Sequence, residues 1–575
     1  MAAGAPRNPE VAEQFDLLAD FLELEGADAF RVVAYRRAAN RIRETPGSIV
    51  DLARAGRAKE LQGIGKTIEE KIVQVADNGE IHALTKRKAI VPPEVVLFMR
   101  LPGLGPKTVR RIWQELGVTT LEELRAAAEQ ERLRGLSGLG ARSEERILHA
   151  LRTAAEQPSP QTGRRLLGDG LGAVLAVVAT LREHPLVEKI SEAGSVRRRK
   201  ETFRDLDIIA TATDPAALTE SFTKLRWVDE VAAKGPTKAT VVSGDGLRFD
   251  LRVVPPESYG NLLQHFTGSK QHNLALREAA VRRGLSVSEY GITVVESGEV
   301  VTASEEAEAY ERLEYQWIPP ELRENAGELE AARRGELPKL VELDDLRGDL
   351  HCHSTWSSDG KNSIEEMAVT ARDRGYAYLA LTDHSHYLRE DRLARQHEEI
   401  DALNDRLAPF RILKGIEVNI RANGEIDVDD DTLAALDWVM ASIHSGFDRS
   451  PTERVLAAME SPHVDCIGHL TGRKLNIRGP MEIDVERVVA RAAETGTFLE
   501  INSQPNRLDL RDVHARLAGE AGVKVVVSTD AHEVRALAWA ELGVAQARRA
   551  WLTKEQVLNT RSWREVQRLL KKPSR

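Results

Sequence analysis

The C-terminal part of the sequence alternates short apolar segments with helical stretches, and this alternation limits the folds that the chain can adopt. From residue 340 onward the apolar segments are LRGDLHCH, YAYLALTDHS, FRILKGIEVN, DWVMASIH, VDCIGHL, GTFLEIN and VKVVVSTDAH. Strands that alternate with helices form a parallel sheet or a barrel. Nearly every segment ends in His, Asp or Glu, and the carboxyl ends of parallel strands lie on one side. The pattern therefore predicts a polar site on that side.

Histidines are concentrated in the same region. Ten of the fifteen histidines lie between residues 351 and 532. A single histidine of this kind is more often a core or surface residue, whereas a set at successive strand ends converges on one point. Imidazole together with carboxylate favours Zn²⁺, Mn²⁺ or Fe. Cys352 lies between two inward-facing residues and is expected to point away from the site; with only Cys466 besides, no disulfide framework is predicted, which fits a reducing cytoplasm.

The N-terminal part contains a glycine repeat. Its copies are LQGIGKTIEEKI (61–72), LPGLGPKTVRRI (101–112) and LSGLGARSEERI (136–147), and each predicts a helix, a tight glycine turn and a second helix. Free amides at the start of the second helix form an anion site that suits a backbone phosphate. Although the formal net charge of −10 by itself argues against a nucleic-acid partner, three copies favour phosphate binding over a plain helical turn. The turn glycines are Gly63, Gly65, Gly103, Gly105, Gly138 and Gly140, followed by the cations Lys66, Lys107 and Arg142.

Three acidic residues are predicted on strands in the middle of the chain. In DLDIIATA, Asp205 and Asp207 share one face of a strand because alternate side chains point the same way. KATVVSGDGLRFDLRVV (238–254) predicts a hairpin whose second strand carries Asp250. Three such carboxylates suit two divalent cations that hold a triphosphate and activate a hydroxyl. For Asp205 and Asp207 alone, a solvated strand edge remains an alternative.

The chain up to about residue 320 resembles the DNA polymerase X family, the small repair polymerases. The matching stretches are AFRVVAYRRAANRI, GSVRRRKETFRDLD, RFDLR and FTGSKQHN (266–273). The resemblance implies that Asp205 and Asp207 bind two Mg²⁺ or Mn²⁺ ions, and that Asp250 completes the site that activates the primer 3′-hydroxyl. Arg204 departs from the pattern, because many relatives have Gly there.

The same resemblance implies contacts to nucleotide and DNA. Ser195 and Arg198 would contact the incoming triphosphate. The sugar side of the pocket and the base would be contacted by Phe266, Thr267 and Gly268, and by Asn273, respectively. The hairpin at Gly103 and Gly105, with Lys107, would hold the primer strand, and the hairpin at Gly63 and Gly65 the downstream strand of a gap.

Lys71 stands where some family members have a lysine that removes a 5′-deoxyribose phosphate through a Schiff base. The alternative is a solvated ion-pair partner, since Lys71 follows two glutamates on a predicted helix.

From residue 351 onward the sequence resembles the PHP (polymerase and histidinol phosphatase) family of metal-dependent phosphoesterases. The resemblance rests on H-x-H, an Asp, DH, Glu, His, GH and D-x-H in this order. It implies a distorted seven-stranded barrel that binds up to three Mn²⁺, Zn²⁺ or Fe ions, with Glu417 bridging two of them. The implied ligands are His351, His353, Asp359, His384, Glu417, His444, His469, Asp530 and His532. Arg421, Lys474 and Arg478 follow strand ends and are candidates for binding a substrate phosphate, or are solvated.

These observations predict a multidomain α+β and α/β protein with a helix-hairpin-helix N-terminal region, a nucleotidyltransferase-type palm and thumb, and a C-terminal distorted (β/α)7 barrel. The predicted ranges are 1–85, a helical, lyase-like DNA-binding domain with the first hairpin; 86–157, a fingers-like helical domain with the other two; 158–256, the palm; 257–322, the thumb; 323–345, an acidic linker; and 346–575, the PHP domain.

The predicted function is gap-filling DNA synthesis in base excision repair or end joining, with 3′–5′ exonuclease or 3′-end processing in the barrel, including abasic-site cleavage. The predicted partners are gapped or nicked DNA and dNTPs, and a cytoplasmic monomer without membrane association is expected. One alternative is a PHP nuclease on a non-catalytic, polymerase-like DNA-binding platform. Another is a small-molecule phosphatase, which the three hairpins disfavour.

Overall fold

The computed structural model describes residues 6, 8–45, 48–61, 63–100, 104–136, 139–140, 144–145, 147–148, 164–389 and 391–571. The chain divides into two compact units, residues 1–163 and residues 164–575. Among these described ranges, no helix combines the length and the apolar character that crossing a membrane requires.

The first unit is helical and packs around buried aromatic residues that include Phe15, Phe21 and Phe98. Asp28 caps one helix by accepting from the Phe30 amide, and Thr120 and Glu123 form a capping box at another. The helices are Asn8–Glu25, Ala29–Glu44, Ile49–Arg54, Lys66–Asn78, His82–Lys88, Pro93–Leu97, Pro106–Leu116 and Leu121–Glu129, with short 3-10 turns at Ala58–Glu60, Phe98–Arg100 and Leu133–Gly135.

The second unit begins with the segment predicted to be the palm, a name kept below, which has a five-stranded sheet within residues 164–256. The strands are β1 (Arg165–Leu166), β2 (Val187–Glu192), β3 (Thr202–Phe203), β4 (Leu206–Ala212), β5 (Val228–Lys234), β6 (Lys238–Ser243) and β7 (Arg248–Val253), and the helices are Leu167–Arg182, Gly194–Arg197 and Pro215–Thr223. The sheet order is β2-β4-β7-β6-β5, in which β4 and β7 are parallel and the other neighbours are antiparallel.

The thumb follows the palm and combines helices with a small antiparallel sheet of three strands, in which the second strand lies between the other two. Its strands are β8 (Leu285–Ser288), β9 (Gly291–Val294) and β10 (Val300–Val301), and its helices are Tyr259–Thr267, Lys270–Val281 and Glu306–Arg312, with 3-10 turns at Pro256–Ser258 and Pro320–Leu322. The segment expected to be an acidic linker, 323–345, is folded in the structure. It contains the helix Glu328–Arg334, and its Leu329 and Leu340 pack in the same core as Tyr310 of the thumb.

The barrel is a parallel sheet whose seven strands, all in the described part of the chain, lie side by side in sequence order. Its ends meet where Cys352 bridges Ala531 and the His353 amide donates to the Ala531 carbonyl at 2.8 Å. The strands are β11 (Gly348–Cys352), β12 (Tyr378–Leu381), β13 (Arg411–Asn419), β14 (Trp438–Ser442), β15 (Cys466–Ile467), β16 (Phe498–Asn502) and β17 (Val525–Ser528).

Helices surround the barrel, and apolar side chains fill part of its interior. Tyr378, Trp438 and Phe498 are the first residues of their strands and belong to one buried cluster. The polar residues at the carboxyl ends of the strands therefore lie at the other end of the barrel. Cys352 and Cys466 are both buried. The predicted fold class is confirmed. The helices are Ile364–Asp373, Arg392–Leu407, Asp430–Ala434, Pro451–Met459, Val485–Thr495, Asp512–Glu520, Ala540–Arg549 and Trp563–Gln567, with 3-10 turns at Leu343–Asp345, Ser385–Tyr387, Val534–Trp539 and Leu558–Thr560.

Candidate functional sites in the palm and the barrel

The structure brings the nine predicted residues of the barrel together around one carboxylate, that of Glu417 on β13. Oε1 of Glu417 lies 3.2 Å from Nε2 of both His444 and His469, and Oε2 lies 2.8 Å from Nδ1 of His384. Nε2 of His351 is 3.6 Å from Oε2. A buried carboxylate surrounded by imidazoles from four strand ends suits a cation better than it suits an apolar core.

The remaining predicted residues extend this cluster. Oδ2 of Asp359 lies 3.4 Å from Nε2 of His384 and 3.3 Å from Nε2 of His532, and Oδ1 of Asp530 lies 3.2 Å from Nε2 of His353. Among the described residues, three sets of side chains could each hold a metal ion. Within each set, every side chain has one ligand atom that lies within 4.8 Å of the ligand atoms of the other members. These sets are His353, His384 and His532; His351, His353 and Asp530; and His384, Glu417 and His444.

The donor atoms of the cluster fit metal ions because several of them lack other partners. Among the described residues, Nε2 of His351, Nε2 of His353 and both carboxylate oxygens of Glu417 are buried without a partner in hydrogen-bonding geometry. Leaving such atoms unpaired is costly. Asp530 (φ 50°) and His469 (φ 26°) also adopt left-handed backbone conformations, a strain that concentrates at functional sites.

The charges in the cluster are strongly coupled. Burial disfavours the ionised form of Glu417, but His444, His351 and His384 outweigh it and hold the pKa of this carboxyl well below its usual value. Burial likewise opposes the protonation of His351, yet Glu500, Asp530 and Glu417 raise its pKa well above the usual range. The carboxylates of the cluster therefore favour a positive charge beside them, which a bound cation supplies as well as a proton does.

Residues that the sequence analysis missed orient the cluster. Glu500 on β16 is fully buried, and its Oε1 lies 2.7 Å from Nδ1 of His351 while Oε2 accepts from the His469 amide at 2.5 Å. Oδ1 of Asn419 lies 2.7 Å from Nδ1 of His444. A carboxylate behind a ligating histidine fixes the orientation of its ring. The signal in the sequence was an acid inside the apolar segment GTFLEIN, the same signal that pointed to Asp250.

The predicted phosphate-binding cations of the barrel have different surroundings. Arg421 and Arg478 are exposed, and the Arg478 guanidinium lies 4.0 Å from the Phe447 ring centroid. Burial, followed by the charges of Arg507 and Arg478, lowers the pKa of Lys474. Arg507, which was not predicted from the sequence, lies at the cluster, with Nε 3.7 Å from Oδ2 of Asp530.

The palm places its three predicted carboxylates on two adjacent strands. Strands β4 and β7 are parallel, and Asp207 lies directly opposite Asp250 in their register. Asp205 immediately precedes β4 on the same face. Burial, followed by the negative charges of Asp250 and Asp205, raises the pKa of Asp207 to about 7, and burial also raises that of Asp205. Mutual repulsion of this kind is relieved by a cation bound between the carboxylates.

Two further side chains hold these carboxylates. Nε of Arg248 lies 3.4 Å from Oδ1 of Asp205 and 3.6 Å from Oδ2 of Asp250, and the Thr240 hydroxyl donates to Oδ1 of Asp250. Neither side chain was predicted from the sequence, although Arg248 stands two residues before Asp250 and therefore on the same face of β7.

The predicted triphosphate-binding residues lie beside the carboxylates. Gly194 starts the short helix Gly194–Arg197 at φ +64°, and a Cβ there would lie 2.2 Å from Oδ2 of Asp207. Ser195 follows it and is half-buried. Nε of Arg198 donates to Oε1 of Glu324 at 3.0 Å, and Nη1 donates to the Thr267 carbonyl. The short helix therefore packs directly against the carboxylate cluster.

The residues predicted to contact the sugar and the base lie in the thumb. Phe266, Thr267 and Gly268 form the end of the helix Tyr259–Thr267, and the Arg252 guanidinium lies 4.3 Å from the Phe266 ring centroid. Asn273 donates to the His265 carbonyl at 2.7 Å and accepts from Gln264 at 2.8 Å. Its side chain is thus held in place by the preceding helix.

In the first unit the predicted hairpin glycines that are described lie exposed before helices. Gly65 and Gly105 are the N-cap residues of Lys66–Asn78 and Pro106–Leu116, and a Cβ on either, or on Gly63 or Gly140, would meet nothing within 4 Å. Lys66 and Lys107 are exposed, and Lys71 is half-buried on the helix Lys66–Asn78. Gly103, Gly138 and Arg142 lie outside the described residues.

Comparison with known families agrees with this architecture. Family models match as a helix-hairpin-helix domain at residues 6–81, a SAM-like helix-hairpin-helix tandem at 95–153, a DNA polymerase beta thumb at 262–324 and a PHP domain at 349–504. Together with the two clusters, these matches define the class of protein. It is a DNA-binding enzyme with a polymerase-type thumb and a PHP domain, and PHP domains form a family of metal-dependent hydrolases.

Individual relatives specify the family. A DNA polymerase/3′-5′ exonuclease PolX of Bacillus subtilis (strain 168) is 40% identical over 98% of this chain and 99% of its own. The chain therefore belongs to the DNA polymerase X family, as the sequence motifs predicted. Two probable phosphatases, from Thermoanaerobacter sp. (strain X514) and Syntrophotalea carbinolica, are 31% and 30% identical over 37% of this chain, covering 89% and 90% of their own lengths.

Proposed function

We propose that this protein is a DNA-directed DNA polymerase that fills short gaps during DNA repair and that its barrel is a 3′–5′ exonuclease that processes 3′-ends. The observation that carries the proposal is the presence of two separate clusters in one chain, the palm carboxylates and the histidine-rich barrel end. The Bacillus subtilis relative aligns with both parts of the chain, and its name supports the proposal.

In the palm, Asp205, Asp207 and Asp250 would hold two Mg²⁺ or Mn²⁺ ions. In the barrel, the nine clustered residues would hold up to three Mn²⁺, Zn²⁺ or Fe ions. When bound, divalent cations polarise phosphoryl oxygens and supply a nucleophile at neutral pH. Ser195 and Arg198 bind the triphosphate and thereby orient the nucleotide substrate.

The partners follow from the same parts of the chain. Gapped or nicked DNA and dNTPs are the proposed substrates, with Gly63, Gly65, Gly105 and Lys107 at the backbone-phosphate sites, because exposed amides at helix starts bind phosphate irrespective of base sequence. Removal of a 5′-deoxyribose phosphate by Lys71 and cleavage at abasic sites stay predictions, as do the monomeric state and the cytoplasmic location.

The test uses a one-nucleotide-gapped duplex with a labelled 3′-end in Mn²⁺, with and without dNTPs. We expect wild type both to extend and to degrade the labelled strand, Asp205→Ala to degrade without extending, and His351→Ala to extend without degrading. Degradation without any extension by wild type would favour a nuclease on a non-catalytic DNA-binding platform, and would refute the polymerase proposal.

A second candidate function for the barrel is hydrolysis of small phosphate monoesters, because relatives named probable phosphatases match this part of the chain. The rates of p-nitrophenyl phosphate hydrolysis and of single-stranded DNA degradation by the same preparation distinguish the two. Faster turnover of the small ester, lost in His351→Ala, would favour the phosphatase.

A further inference from the structure

A set of buried charged side chains connects the barrel to the triphosphate-binding part of the palm. Arg549 ends the barrel helix Ala540–Arg549, and its side chain is 2% exposed. Its Nη2 donates to Oδ2 of Asp512 at 2.5 Å. Its Nη1 donates to the backbone carbonyl of Arg198 at 2.9 Å and to Oε1 of Glu324 at 3.2 Å.

Glu324 is the partner that Arg198 and Arg549 share. Its Oε1 accepts from Nε of Arg198 at 3.0 Å, and Nζ of Lys200 lies 3.7 Å away. Burial opposes its ionisation, but Lys200, Arg198 and Arg549 hold the pKa of Glu324 at about 2, so it is charged at neutral pH. Arg198 is therefore fixed at its guanidinium by Glu324 and at its backbone by Arg549.

We propose that Arg549, although it belongs to the barrel, is a positioning residue for the polymerase reaction. It fixes the carbonyl of Arg198, 351 positions away in the sequence, together with the carboxylate that orients the Arg198 guanidinium. This inference rests on the proposed polymerase function and adds to it that triphosphate binding depends on a side chain of the barrel. A residue that acts in this way changes nucleotide binding more than the chemical step.

The same helix offers a matched control. Arg548 also reaches across to the polymerase part, where its Nε donates to Oε1 of Glu321 at 2.7 Å, and its Nη1 donates to the Val341 carbonyl at 3.1 Å. Removal of Arg548 therefore weakens the contact between barrel and polymerase while the donors around Arg198 and Glu324 stay in place.

The experiment measures single-nucleotide insertion into a gapped duplex and, in parallel, 3′–5′ degradation, with full-length wild type, Arg549→Ala, Arg549→Lys and Arg548→Ala. Loss of a charged hydrogen bond predicts a rise of about tenfold in the dNTP KM of Arg549→Ala, with kcat within about threefold of wild type. Arg549→Lys should recover part of this loss because it retains the charge, and Arg548→Ala should stay within about twofold of wild type.

An unchanged KM in Arg549→Ala, or an equal rise in Arg548→Ala, would overturn the inference while leaving the polymerase function intact. A wild type that inserts no nucleotide would overturn both. If Arg549→Ala loses both activities through misfolding, Arg549→Lys, which keeps the buried positive charge, decides: a raised dNTP KM with 3′–5′ degradation retained supports the inference, and an unchanged KM overturns it.

Discussion

Replacement of Gly194 by alanine tests whether the palm carboxylates need the short helix that packs against them. A Cβ at Gly194 would lie 2.2 Å from Oδ2, 3.2 Å from Cγ and 3.4 Å from Cβ of Asp207. Ordinary non-bonded contact requires about 3.5 Å, so the carboxylate has to move by about 1 Å. The positive φ of +64° adds strain of about 1–2 kcal/mol for a residue with a Cβ.

A displacement of about 1 Å at a reacting group lowers a rate by about 100-fold. We therefore expect Gly194→Ala to reduce kcat for single-nucleotide insertion by about that factor, because Asp207 can no longer reach its place opposite Asp250. The 3′–5′ degradation of the same labelled DNA should be unchanged, since the barrel cluster uses neither residue.

The control is Gly172→Ala, the same substitution at an exposed position of the palm helix Leu167–Arg182, where a Cβ would meet nothing within 4 Å. It should insert nucleotides at the wild-type rate and be slightly more stable, because alanine favours a helix. If Gly194→Ala inserted nucleotides at a rate within about threefold of wild type, the steric argument would be refuted. The Asp207 carboxylate cannot occupy its present position together with a Cβ at residue 194.

Further predictions concern the barrel and its contact with the thumb. Glu417→Gln removes the central charge of the barrel cluster, so metal analysis should show at least one Mn²⁺ or Zn²⁺ ion fewer per chain, with gap filling retained. Glu500→Gln should weaken metal binding about 10–100-fold in a titration, because it loses the charged partner of His351. Glu324 has a pKa lowered to about 2 in the folded protein, so its stabilisation is complete above its ordinary pKa near 4.5 and is lost as the pH falls towards 2. Wild type should have a larger free energy of unfolding in urea than Glu324→Gln, and this difference should shrink by about 3 kcal/mol as the pH falls from about 4.5 to about 2. A constant difference would contradict the lowered pKa of Glu324.

The barrel and its candidate site could be predicted from the sequence because each polar residue follows an apolar strand. Parallel strands that alternate with helices bring their carboxyl ends together, so His351, Glu417 and Asp530 converge although they are far apart in the sequence. In the palm, alternate side chains of a strand point to the same face, which places Asp205 and Asp207 together on one face and beside Asp250. The metal-ligand roles of these residues stay predictions that the experiments above test.

Partners of buried charges could not be predicted in this way. Charge composition indicated an acidic linker at 323–345, but Glu328 is fully buried, with Oε1 2.7 Å from Nδ1 of His272, and Arg323 is fully buried with Nη1 2.6 Å from Oε1 of Glu306. A charged residue in the sequence looks solvated unless its partner is known, and these partners lie in other elements of the thumb. For Glu500 the sequence shows only an acid inside an apolar strand; its role depends on His351 and the His469 amide, which lie elsewhere in the barrel.

The palm and the barrel are separate in their chemistry but not in their packing. Leu508 and Leu542 of the barrel belong to the same buried cluster as Leu206 and Phe249 of the palm. A Cβ at Gly168 of the palm would lie 2.7 Å from the Pro505 side chain. Apolar surface shared in this way favours a fixed arrangement of the two parts, because separating them would expose it to water.

The polar contacts between the two parts continue from this shared core towards both sites. Nη2 of Arg473, four residues after His469, donates to Oε1 of Glu201 at 2.5 Å, and Glu201 lies four residues before Asp205. Arg549 of the barrel likewise donates to the backbone carbonyl of Arg198 in the palm. Since a buried ion pair is costly to break, we expect a displacement of either partner to shift the other as well. The boundary near residue 346 that the motifs indicate therefore separates two kinds of chemistry, whereas the residues that hold the two sites in place lie on both sides of it.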